Sequence, residues 1–173
     1  MPTISPLNSR PDHEIETLLD AAFGADRHGR TAYAVRAGMS WLPNFSYALA
    51  DGRALLGVLQ SWPVELAGDD GVRTPLIMVG PVAVLPDSQR EGLGRMMMDR
   101  LIEDTDRSAA SPLMMIGDPE YYSRFWGFAA DKTGGWRVPG PIDPRRLLMR
   151  DVPHVTPLPA LSGLLGPRNA PDT

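Results

Sequence analysis

The feature that most constrains this 173-residue chain is the stretch 76–85, LIMVGPVAVL. It is nearly all apolar, which predicts a strand buried on both faces. It is broken by Pro81 and too short to cross a bilayer. Gly80-Pro81 cannot sit inside a regular central strand, because proline has no N–H to give to the ladder. A bulge is therefore expected there. After Pro86-Asp87-Ser88 the pattern turns helical over 92–106, with Leu93, Met97, Leu101 and Thr105 at i+4 spacing. Residues 113–116 then read as a short apolar strand. A strand–helix–strand unit implies a parallel pair.

Upstream, Ile15, Leu18, Leu19, Ala22 and Phe23 share one face of a helix, with Asp12 as its expected cap and Gly24 as its end. A second, short helix is expected over 30–36. Phe45, Tyr47 and Leu49 alternate as on a half-buried strand, and Asp51-Gly52 is a hairpin signal. Residues 54–66 form the return strand, with Pro63 at a bend or an edge. Downstream, Asp118-Pro119 opens a helix that Gly127 ends. Final strands are expected over 133–138 and 147–152. The sum is a mixed α/β (α+β) fold. Its sheet is mostly antiparallel with a central parallel pair, and helices cover both faces. One domain spans 3–150. A Pro/Gly-rich tail follows over 151–173, in which Leu158, Leu161, Leu164 and Leu165 suggest a turn or two of docked helix.

Composition narrows the functions. There is no cysteine, so disulfides and thiolate catalysis are excluded. His13, His28 and His154 are scattered, and no cluster has metal-ligand spacing. A net charge of −4 disfavours a nucleic-acid partner. No apolar run spans a membrane and no signal-peptide pattern opens the chain, so a cytoplasmic protein is expected. Met96, Met97, Met98, Met114 and Met115 read as core filling between helix and sheet. Trp41, Phe45 and Trp62 line either a pocket or the core.

The loop before the long helix carries the chemistry. In Gln89-Arg90-Glu91-Gly92-Leu93-Gly94 the two glycines remove side chains where an anion must touch backbone. A helix start supplies unpaired N–H groups and a partial positive charge. The loop is neither the dinucleotide fingerprint nor the P-loop. It resembles motif A, [QR]-x-x-G-x-[GA], of the GNAT superfamily of N-acetyltransferases, and the resemblance runs from Val82 through Gly94. The later stretch from Asp118 through Tyr121, Tyr122 and Ser123 to Gly127-Phe128 resembles that family's motif B.

The resemblance implies acetyl-CoA as donor and an amine-bearing small molecule or peptide as acceptor. It implies pantetheine contacts from the backbone of Val82 and Val84. It implies pyrophosphate contacts from N–H groups of Arg90, Gly92, Gly94 and Arg95, with Gln89, Glu91 and Leu93 in the same loop. Many members use a tyrosine four residues before the Gly of Gly-Phe as the acid for the leaving thiolate. Here that place holds Ser123, as though Trp126 were inserted. Tyr122 is then the favoured acid and Tyr121 the second. Glu65 is the candidate base. No metal is implied. A homodimer is compatible with the sequence, and a non-catalytic acyl-CoA-binding module is the competing function.

Overall fold

The computed structural model describes residues 1–88 and 92–168. Its strands are β1 (Thr3–Pro6), β2 (Tyr47–Asp51), β3 (Ala54–Gly68), β4 (Arg73–Val84), β5 (Leu113–Ile116), β6 (Gly135–Arg137), β7 (Leu147–Arg150) and β8 (Ser162–Pro167). The helices are α1 (Asp12–Phe23), α2 (Thr31–Val35), α3 (Leu93–Arg107) and α4 (Pro119–Trp126). The strands form one sheet in the order β1-β2-β3-β4-β5-β7, with β8 pairing both β3 and β6. On the main path only β4 and β5 run parallel; β6 and β8 form a second parallel pair.

The bulge falls where the Gly-Pro pair requires it. Leu59 opposes Val82 and Ser61 opposes Val79, so two steps on β3 match three on β4. The extra residue switches which side chains face which way. Before it, Ile77 and Val79 enter the core under α3, while Leu76 and Met78 enter the core under α2. After it, Val82 and Val84 take the α3 side and Ala83 packs under α1. Each change follows from the period of two along a strand.

Both faces are covered. Leu93, Met97, Met98 and Leu101 of α3 are buried on one, and Ile15, Leu18 and Leu19 of α1 on the other. Met97, Met98, Met114 and Met115 are core residues, while Met96 stays exposed. Pro63 sits where the side of β3 away from β4 passes from β2, whose last pair is Leu59, to β8, whose first is Val64. Its missing N–H is lost from no ladder on that side.

Three expectations need correction, and one strand is unanticipated. Asp12 is not the cap of α1: Pro11 holds that position, and Asp12 lies in the first turn, where its charge complements the helix dipole. Residues 3–6 are a strand with no local signal. The segment after 151 contributes β8 rather than a helical turn. Leu165 points into the core and Leu164 outward, the alternation of a strand. Finally, the strands near 133–138 and 147–152 are shorter, at Gly135–Arg137 and Leu147–Arg150.

Candidate active site

β4 and β5 pair only at Ile77 with Leu113 and Met78 with Met114. Beyond Met78 the bulge turns β4 away, and the two strands splay. A cavity of about 700 Å³ opens in the gap. Val79 through Val82 form one wall and Met115 through Asp118 the other, with Tyr121 and Tyr122 of α4 beside them. Across from these lie Arg27, Arg30, Tyr33 and Arg36 around α2. Thr31 Oγ1 donates to the Pro141 carbonyl at 2.6 Å and ties α2 to the loop at the cavity's rim.

α4 is aimed by local codes. Asp118 caps it, accepting from the Glu120 N–H at 3.0 Å, and Pro119 fits the first turn. Gly127 ends it at φ 74°, a left-handed conformation suited to glycine. The Trp126 indole donates to Asp99 of α3 at 2.8 Å, which anchors the helix end to its neighbour. Tyr122 packs edge-on to Tyr121, with ring centroids 5.0 Å apart, and against Trp126 and Phe128. Gly117 leaves room for its ring. Among the described residues neither tyrosine hydroxyl has a hydrogen-bond partner, and both residues line the cavity. Burial, with Tyr121 and Asp118 nearby, pushes the Tyr122 hydroxyl up to about 12, against the pull of Arg146. Burial also raises that of Tyr121, opposed by Arg95.

The start of α3 has the features of an anion site. Gly92 adopts φ 69°, with open space where a side chain would be. Among the described residues a Cβ on Gly94 would meet only Val84 Cγ2, at 4.0 Å. Packing against the protein therefore does not require glycine at 94. Among the described residues no side chain caps the helix and no acidic residue lies in its first turn, so none of them offsets the positive end of its dipole.

The family model described as "Acetyltransferase (GNAT) domain" matches residues 3–129. The chain belongs to the GNAT acetyltransferase family. Among solved structures it resembles a GNAT family acetyltransferase from Brucella melitensis in complex with acetyl-CoA, at 23% identity and TM-score 0.65, covering 94% of this chain and 95% of that one. It also resembles the GNAT family N-acetyltransferase YhbS from Escherichia coli in complex with CoA, at 18% identity and TM-score 0.68, covering 97% and 89%. The ribosomal-protein-S18-alanine N-acetyltransferase from Escherichia coli shares the fold at 18% identity and TM-score 0.55, covering 86% and 90%. Comparison with curated proteins finds no match.

Within this GNAT fold the site residues expected from sequence divide. Tyr121, Tyr122 and Val82 meet at the cavity. Ser123 is exposed and lies outside it, so Tyr122 takes the inward position on α4. Val84, Gly92 and Gly94 gather at the far end of β4 and the start of α3. The Leu93 side chain is buried in the core, so only its backbone is available. Arg95 is exposed, its guanidinium 4.1 Å over the Phe125 ring. Gln89, Arg90 and Glu91 lie outside the described residues.

Glu65 does not join the cavity lining. It is buried, with its Oε1 3.4 Å from Arg73, and sits opposite Pro75 and Gly166, toward the other end of β4. Trp62 is both core and pocket: it is buried with Val35, Leu76 and Met78, it lines a smaller cavity of about 340 Å³, and its indole donates to the Gly80 carbonyl at 2.7 Å. Trp41 lines the same cavity, while Phe45 packs on the core. Sequence reasoning missed Gly117 and Arg36, since a lone glycine or arginine carries no spacing code. Among the described residues no group of His, Cys, Asp and Glu could hold a metal, and no helix is long and apolar enough to cross a membrane.

Proposed function

We propose that the protein moves an acetyl group from acetyl-CoA to a primary amine of a small molecule or peptide, by direct attack on the thioester. One observation carries this reading: the Tyr122 hydroxyl, without a hydrogen-bond partner among the described residues, stands in a cavity between the splayed strands, at the end of β4 that leads to the start of α3. The first-turn N–H groups of α3, from Gly92 to Arg95, would hold the pyrophosphate. β4 pairs with β5 as far as Met78, and the pantetheine arm would lie along the stretch of β4 that follows, at Val82 and Val84. Acetyl-CoA supplies the acyl group and the thiolate leaving group.

The amine nitrogen forms a bond to the acyl carbon, and the carbon–sulfur bond breaks. Tyr122 passes its Oη proton to the departing sulfur, and the amine loses a proton to solvent. A hydroxyl pushed up to about 12 is protonated throughout the neutral range, the state an acid needs. Tyr121 packs edge-on to Tyr122 and positions its ring.

Isothermal titration with acetyl-CoA, followed by thiol release over a panel of amines, tests this. Binding and amine-dependent thiol release are expected. Binding without release for any amine would leave the acyl-CoA-binding module; no binding would sink both readings.

A further inference from the structure

We propose that Arg36 forms an anion subsite in the acceptor half of the cavity, so that the acceptor is an amine that also carries a carboxylate or phosphate. This rests on the acyl-transfer reading above and names its substrate class.

Arg36 follows α2 and is 6% exposed. Its guanidinium lies between two rings, 4.0 Å from the centroid of Tyr33 and 3.7 Å from that of Trp62. Rings stabilise the charge through their faces but accept none of the in-plane N–H donors. Nη1 is buried and has no acceptor among the described residues. A second buried arginine shows the contrast. Arg27, 2% exposed, donates to Glu16, to Asp20 and to the Tyr33 hydroxyl. The Tyr33 hydroxyl accepts from Arg27 at 2.7 Å. Burial, helped by the charge of Arg27, lowers Arg36 to about 10, with Tyr33 and Glu16 opposing.

Position links this charge to the chemistry. Arg36 helps line both cavities. The Trp62 ring beneath it holds the Gly80 carbonyl at the bulge. Arg30 and Arg146 add positive charge to the same wall, while Asp118 and Asp143 accept backbone N–H groups at 3.0 Å. An in-plane fork of donors fits a carboxylate or phosphate, and a polyamine would meet repulsion instead.

Matched acceptors test this by thiol release: phenylalanine against phenethylamine, and phosphoethanolamine against ethanolamine. The wild-type protein should favour the anionic member of at least one pair by roughly 10–100-fold in kcat/KM, the range of one hydrogen bond to a charged group. Which pair responds identifies carboxylate or phosphate. Arg36→Gln should lower kcat/KM for the anionic member at least about tenfold more than for its neutral partner, through KM. Arg36→Lys keeps the charge without the fork and should restore part of the preference. Equal use of both members, or a preference that survives Arg36→Gln, overturns the subsite. Should no amine release thiol, the transfer reading fails and the subsite is read by binding. Inorganic phosphate and acetate are then titrated against tryptophan fluorescence, since Trp62 stacks on the guanidinium. A saturable change lost in Arg36→Gln supports the subsite; a flat titration overturns it.

Discussion

Gly117 and Tyr122 make an approach that only glycine permits: a Cβ on Gly117 would stand 2.8 Å from Cε2 of the tyrosine ring. The end of β5 thus sets how far the ring of the proposed acid can reach back against the sheet. Gly117→Ala should displace that ring. A misplaced catalytic group costs up to about 100-fold in rate, so kcat is expected to fall by roughly 10–100-fold while acetyl-CoA affinity changes little. Overpacking should destabilise the fold by about 1–3 kcal/mol, read as a lower Tm. Unchanged kcat would remove Gly117 from the positioning of Tyr122.

The hydroxyl itself is tested by Tyr122→Phe. Loss of a general acid costs roughly 10²–10⁴ in kcat, with KM for acetyl-CoA nearly unchanged. Tyr121→Phe should cost far less. Steady-state thiol release on purified variants decides it, and a Tyr122→Phe enzyme with full turnover would exclude the residue as acid.

The pH profile gives an independent reading. Tyr122 acts in its protonated form, and its pKa is raised from 10.0 to about 12. The raised value extends activity upward, so kcat should hold through pH 10 and fall as pH approaches 12. The same shift contributes stability that is fully present below pH 10 and lost as pH rises through about 12. A kcat limb at the ordinary tyrosine value, in a protein that is still folded there, would contradict the buried position of this hydroxyl.

Gly94 separates ligand from fold. A Cβ there would find, among the described residues, only Val84, at 4.0 Å, and alanine in place of helical glycine typically stabilises by roughly 0.5–1 kcal/mol. Gly94→Ala should therefore hold or raise the Tm. If pyrophosphate lies on the start of α3, the same methyl should weaken acetyl-CoA binding by about tenfold or more, the worth of one charge-assisted hydrogen bond. Calorimetric titration beside a melting curve reads both, and the opposite signs are the diagnostic. Tight binding to Gly94→Ala would place the pyrophosphate elsewhere.

These residues also show where sequence is transparent. β5 begins and ends where its apolar run does, and α4 is bounded by Asp118 and Gly127, because caps and short buried strands are written in adjacent residues. The Gly80-Pro81 bulge is equally local. β1 and β8 are not local: each has few apolar residues and becomes a strand only by pairing with β2 or β3, far along the chain. Arg36 is the same case at the site. A single arginine after a short helix looks solvated until Tyr33 and Trp62, brought from α2 and β3, close over it.

β8 offers the test of that non-local pairing, through two glycines three residues apart. A Cβ on Gly163 would lie 2.4 Å from the Ala67 carbonyl oxygen on β3, whereas one on Gly166 would meet nothing within 4 Å. Gly163→Ala must push β8 from β3, loosening Leu165 from the core it enters. Overpacking of this kind costs about 1–3 kcal/mol, a fall in Tm of roughly 2–12 °C for a domain of this size. Gly166→Ala should leave Tm nearly where it was. Gly163 does not line the cavity of the tyrosines, so its effect should appear in melting curves and in faster hydrogen exchange along β3, with little change in acetyl-CoA affinity. Equal melting of the two variants would mean that β8 does not pack on β3 in solution, and that Leu165 is not part of the core.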